Sequence, residues 1–120
     1  MKPENFVQAI QESIIDSTIS SYQEIFSSTD IEGIGPGYWK DALKLFRKLD
    51  DKDQEIFFRI VRFVQVEAVA GLLAVLDGVS SLEGQKEDFL LLEEGGEEPI
   101  NGDLATIFLN MEDPDGHKYA

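Results

Sequence analysis

DDKDQEIFFRIVRFVQVEAVAGLLAVLDG, residues 50–78, is the stretch on which the fold of this chain turns. Asp50, Asp51 and Asp53 supply a capping carboxylate and negative charge at the positive end of a helix dipole. Glu55 and Arg59 stand four residues apart in the order that favours an ion pair along one face. From Val64 to Leu76 the sequence is apolar nearly all round, with Glu67 its single charge. A helix of that pattern is buried by neighbours on several sides. The reading is a helix over residues 52–77, ended by Gly78 in a left-handed cap and lying at the centre of the domain. On that expectation Leu72→Ala or Leu76→Ala costs about 2–5 kcal/mol. The apolar run 69–76 is eight residues long, far short of the roughly 20 that span a bilayer, so no membrane is expected as a partner.

Working towards the N-terminus, residues 38–49 form a shorter amphipathic helix. Trp39, Ala42, Leu43, Phe46 and Leu49 lie on one side, and Lys40, Lys44, Arg47 and Lys48 on the other. Three glycines and a proline make residues 28–37 a loop. Before it, residues 4–27 read as one helix, with Phe6, Val7, Ile10, Ile14, Ile15, Ile19, Tyr22, Ile25 and Phe26 recurring at three- and four-residue steps. Towards the C-terminus, residues 88–93 read as a strand and residues 94–97 as a hairpin turn, with a return strand over residues 98–101. Asn101 or Asp103 then caps a last helix over residues 104–111, a segment whose IFLNM core also suits a third strand. Residues 112–120 read as a flexible tail. The fold class expected is mainly α with an α+β character: a three-helix core around a buried third helix, a C-terminal β-hairpin and a short last helix, in a single domain over residues 1–120.

Charge is the strongest functional signal. The chain has 24 acidic and 10 basic residues and a net charge of −14. Residues 38–76 are nearly neutral, whereas residues 77–120 hold twelve acids and only Lys86 and Lys118 in opposition. Such a field repels phosphate, which argues against nucleic acid as a partner and attracts a cationic protein. The carboxylates expected to meet it are Glu93, Glu94, Glu97 and Glu98 at the hairpin tip, with Glu83, Glu87 and Asp88 around them. The plainer reading of the same tip is a solvated turn whose charges block edge pairing.

No residue pattern marks a reaction. The chain has no cysteine and one histidine, His117, which excludes thiolate chemistry, a usual zinc site and a catalytic triad. Gly33, Gly35 and Gly37 lack the strand and the lysine of a phosphate loop. Asp113, Asp115 and Gly116 would need calcium ligands beyond the chain's end. Glu67 is an edge residue of its helix or a carboxylate in a cleft. Ala68, Ala70, Gly71 and Ala74 favour close approach of another helix. Catalytic residues, cofactor and metal are therefore all expected to be absent, and a homo-oligomer through Trp39 or residues 64–76 is a further possibility. The start MKPENFVQAI has no secretory pattern, and with the lack of cysteine it suits the cytoplasm.

The segments Leu76-Asp77-Gly78 and Ile100-Asn101-Gly102-Asp103-Leu104 resemble those of small uncharacterised acidic bacterial proteins. Some proteins of this size and charge are immunity proteins encoded beside secreted toxins. The resemblance covers roughly residues 60–110 and implies an inhibitor of a cationic effector. It assigns no active residue. A small carboxylate enzyme or metal-binding domain is the alternative.

Overall fold

In the computed structural model, which describes residues 1–119, Asp50 accepts a 2.8 Å hydrogen bond from the backbone N–H of Asp53 and so starts the long helix against which the other helices pack. In chain order the helices are α1 (Pro3–Ile10), α2 (Ser17–Ser28), α3 (Tyr38–Arg47), α4 (Asp51–Leu76) and α5 (Leu104–Glu112). A π-helical turn, Gln11–Asp16, joins α1 to α2, and a 3₁₀ turn, Ile31–Gly33, precedes α3. Gly78 has φ +78°, the left-handed conformation expected after α4.

The π turn corrects the phase of the first helix. In a regular α-helix, Ile15 would lie about 80° around from Val7. Wider i→i+5 bonding, visible where the Ser17 N–H donates to the Glu12 carbonyl, turns Ile15 back beneath Val7. Both are fully buried, while Ile14 faces outward. The sequence places Ile14 and Ile15 on the same buried face because periodicity alone does not register the extra residue.

Two hydrophobic clusters lie along α4. Near its N-terminal half, Phe26, Leu43 and Phe46 are buried against Phe57 and Phe58. Near its C-terminal half, Val66 and Leu73 join Val7 and Ile15 of the first helical run and Ile100, Leu104 and Phe108 at the C-terminal end of the fold. Arg47 does not lie on a free basic face. Its Nε donates to the Phe26 carbonyl at 3.1 Å and its Nη2 to that of Thr29, so it caps the C-terminal end of α2.

The C-terminal β-hairpin is not formed: among the described residues there is no strand. Residues 79–103 are an irregular loop. The Gly96 N–H does close a turn on the Glu93 carbonyl at 2.9 Å, and the Ile100 N–H reaches the Leu91 carbonyl at 2.8 Å. No ladder follows, because a side chain takes its place. Asn101 accepts the Leu91 N–H at 2.8 Å and donates to the Phe89 carbonyl at 2.8 Å, satisfying groups that a return strand would have paired. The α+β expectation therefore gives way to a helical protein. IFLNM, left open between helix and strand, is helical within α5.

The burial expected of α4 also needs correction. The helix is central, but one side of it faces out. Leu72 is 60% exposed, and Val64 is exposed with it, whereas Leu73 is 1% exposed. Leu73→Ala is therefore expected to lower stability by about 2–5 kcal/mol, and Leu72→Ala by less than about 1 kcal/mol. Chemical denaturation of the two variants checks the ordering, which reverses if residue 72 is the one in the core.

Candidate functional site

Asp77 and Asn101 set the geometry of the acidic loop. Asp77 follows the last turn of α4, and its carboxylate accepts the Gly102 N–H at 2.7 Å and the Ala105 N–H at 2.8 Å. It thus caps α5 at Ala105 from a distance of 28 residues in sequence, a role the sequence assigns to Asn101 or Asp103; Asp103 makes no side-chain cap bond. Gly102 has φ +143°, in the region that favours glycine, and this turns its N–H towards Asp77. Asn101 donates to the Leu76 carbonyl as well as to Phe89. Leu76-Asp77-Gly78 and Ile100-Asn101-Gly102-Asp103-Leu104 are therefore the two jaws of one clamp at the base of the loop.

Above that clamp the loop is open to solvent. Glu83, Glu87, Asp88, Glu93, Glu94, Glu97 and Glu98 are all exposed. Glu93 pairs with the N-terminal ammonium of Met1; among the described residues none of the other six makes an ion pair. The lysines of α3 do not reach them. Large apolar side chains share the segment: Phe89, Leu90 and Leu92 are exposed, Leu90 to 72%. The structure thus places all seven expected carboxylates on one loop closed at its base. They stand on irregular backbone, not at a hairpin tip.

A second polar centre has little sequence signal. Glu112, which the sequence leaves in the tail, ends α5 and is buried. Five donors converge on its carboxylate. Oε1 accepts from Arg62 Nε at 2.7 Å, Lys118 Nζ at 2.7 Å and the Tyr119 hydroxyl at 3.1 Å. Oε2 accepts from Arg62 Nη2 at 2.9 Å and Gln11 Nε2 at 2.8 Å. Arg62 Nη1 also donates to Asp16 at 2.8 Å. The side chains come from the π turn, α4, α5 and residues 113–119, and the only sequence hint is that Arg62 interrupts an apolar helix.

Burial by itself would push the Glu112 carboxyl up. The hydrogen bonds from Arg62, Lys118 and Gln11, with the guanidinium charge, outweigh that cost and hold it well below the usual carboxylate range. Arg62 is raised, chiefly by its bonds to Glu112. The Tyr119 phenol is raised by burial and by its bond to Glu112. With its lone pairs occupied, Glu112 is poorly placed to act as a base or a ligand, and the centre works as a clasp between helices.

Other candidate groups are dispersed. Glu67 is exposed on α4, and Gly71 faces open space. An open groove of about 570 Å³ between α2 and α4 mixes apolar side chains such as Ile19, Phe46 and Phe58 with Ser27, Asp51, Glu55 and Arg59, and the Ser27 hydroxyl donates to the Gln23 carbonyl at 2.7 Å, not to a base. Among the described residues no three His, Cys, Asp or Glu side chains are grouped to hold a metal ion, and no helix is long and apolar enough to cross a membrane. No family model, curated protein or solved structure matches this chain.

Glu112→Gln should lower stability by about 2–4 kcal/mol at neutral pH, because it weakens a buried ion pair and leaves Arg62 with Asp16 alone. The folded carboxyl lies below its unfolded value of about 4.3, so its contribution is complete above that pH and fades as the pH falls towards the folded value. The gap between wild type and variant in urea denaturation is therefore expected to shrink below about pH 4.3. Asn101→Ala removes three hydrogen bonds at the clamp and should cost about 1–3 kcal/mol. Hydrogen exchange should show its loss of protection confined to residues 77–105.

Proposed function

We propose that this chain is a protein-binding module that captures a cationic partner through the loop over residues 79–99. The observation that carries the reading is the company its carboxylates keep. Seven acids and Lys86 give the loop a charge of −6, and six of those acids are unpaired among the described residues. The same loop exposes Phe89, Leu90 and Leu92. A solvated turn that only blocks association has no use for three large apolar side chains. A surface that steers a basic protein by charge and then buries apolar groups needs both.

The Asp77–Asn101 clamp supports the same reading energetically. A loop held at its base loses less conformational freedom on binding than a free tail does. A basic effector held in inhibited form is the kind of partner implied by the resemblance of the clamp segments to acidic bacterial proteins. Phosphate-bearing polymers are disfavoured by the charge of −14. Absence of cysteine suits a reducing compartment, and cytoplasmic action is part of the proposal.

The test is affinity capture with the wild-type chain and with a variant carrying Glu93→Gln, Glu94→Gln, Glu97→Gln and Glu98→Gln. A basic protein retained by the wild type at low salt should be lost with the variant and released as salt rises. Association rates should fall about tenfold with the variant at low ionic strength, while dissociation changes less. Equal retention by both chains, or retention indifferent to salt, sinks the assignment.

A further inference from the structure

A cleft of about 190 Å³, smaller than the open groove, lies between α2, the start of α3 and α4. Its walls include Tyr22 of α2, Tyr38 at the first turn of α3, and Phe57, Phe58, Val61 and Gln65 of α4. Tyr22 is held in place by its neighbours. Its ring stacks on Trp39 at 5.8 Å, 16° from parallel, and meets the Phe26 ring edge-on at 6.0 Å. Phe57 and Phe58 stand at 90° to each other, 5.4 Å apart. The aromatic walls are therefore set before anything enters, and a preformed site loses little freedom on binding.

Gln65 is the wall residue that packing does not explain. On α4 it follows Phe58 and Val61 at steps of three and four, the spacing of a buried row, and a leucine there would complete the row. Instead its Oε1 is enclosed with no hydrogen-bond partner among the described residues. A buried acceptor left unpaired costs stability, and a native structure keeps few of them. The terminal amide turns about a broad, soft χ3, so a donor that enters the cleft can meet the oxygen.

These features specify the occupant. Aromatic walls favour a planar ring, stacked or edge-on. The unpaired oxygen requires an N–H or O–H donor. Among the described residues no Lys, Arg, His, Asp or Glu lines the cleft, and a net charge of −14 disfavours an anion. An apolar cavity of about 150 Å³ takes up benzene, so this one has room for a somewhat larger ring system.

We propose that the cleft binds a small planar nitrogen heterocycle, about the size of indole, whose ring N–H donates to Gln65 Oε1. Val61 and Leu76 stand about 22 Å apart along α4, so the site is separate from the acidic loop and independent of the cationic partner proposed above.

Calorimetry of the full chain with indole tests it, beside benzofuran, which has the same shape and no N–H. The wild type should bind indole with a dissociation constant between about 20 µM and 1 mM. It should bind benzofuran about tenfold or more weakly, because the oxygen then stays unpaired. Gln65→Leu should bring the two ligands within about threefold of each other. Val61→Trp should fill the cleft and block both. In nitrogen–proton NMR spectra of the wild type, indole should shift the Gln65 side-chain amide and residues 18–26 and 57–65 most. Circular dichroism confirms the helices in each variant; should Val61→Trp fail to fold, the comparison of wild type with Gln65→Leu decides alone. No saturable binding of indole at about 5 mM overturns the proposal. So does equal affinity of the wild type for indole and benzofuran, a preference that survives Gln65→Leu, or shifts confined to residues outside the cleft.

Discussion

The Glu112 carboxylate, at the end of α5, lies where the first helical run, α4 and residues 113–119 meet, and it is satisfied by donors from all three. A buried carboxylate of this kind is costly unless each oxygen is bonded. Here the cost is met by Arg62, which reaches across from α4 and also holds Asp16 on the π turn. The position of α5 against α4 follows from that contact, and so does the course of the chain after it. The π turn has its own reason in the same place. Without its extra residue, Ile15 would leave the core, and Gln11 and Asp16 would not both face the ion pair.

Around this fixed point the molecule divides its labour along α4. The aromatic cluster of Phe26, Phe46, Phe57 and Phe58 holds the N-terminal half against α2 and α3. A second cluster, aliphatic apart from Phe108 and Phe6, holds the C-terminal half against α1 and α5. Neither encloses α4, which is why a long helix of largely apolar sequence keeps one side in solvent and why the shape is drawn out to 53 Å. The acidic loop then hangs from one end of the rod, held by Asp77 and Asn101 and distant from the lysines of α3. Separation of the nearly neutral residues 38–76 from the charged loop helps a chain of net charge −14 to fold, because the loop's repulsion is placed where water screens it.

Much of this was legible from local pattern. The periodicity of residues 38–49 and 52–77, the aspartates before α4 and the glycine after it place the helices to within two residues, since those signals act over one turn. The seven loop carboxylates were legible as a charged segment by counting alone. Three features were not. The sequence reads residues 88–93 and 98–101 as strands about a glycine turn, but Asn101 competes for the same backbone groups through its side chain. Capping of α5 was assigned to Asn101 or Asp103, next to it in sequence, when Asp77 does it from the end of another helix. Glu112 and Arg62 are 50 residues apart, and no periodicity links them.

What the sequence determined by itself, then, is whatever depends on neighbours along the chain: where helices begin and end, the absence of thiol chemistry, and the concentration of negative charge after residue 77. What tertiary structure decided is which face of each helix is covered. Leu72 and Leu73 are adjacent and chemically alike, yet one is exposed and the other buried. Burial depends on the number of partners available, and two small clusters of helices cannot surround a helix of 26 residues. Composition announces that α4 is apolar; only the arrangement of the other helices leaves a side of it uncovered.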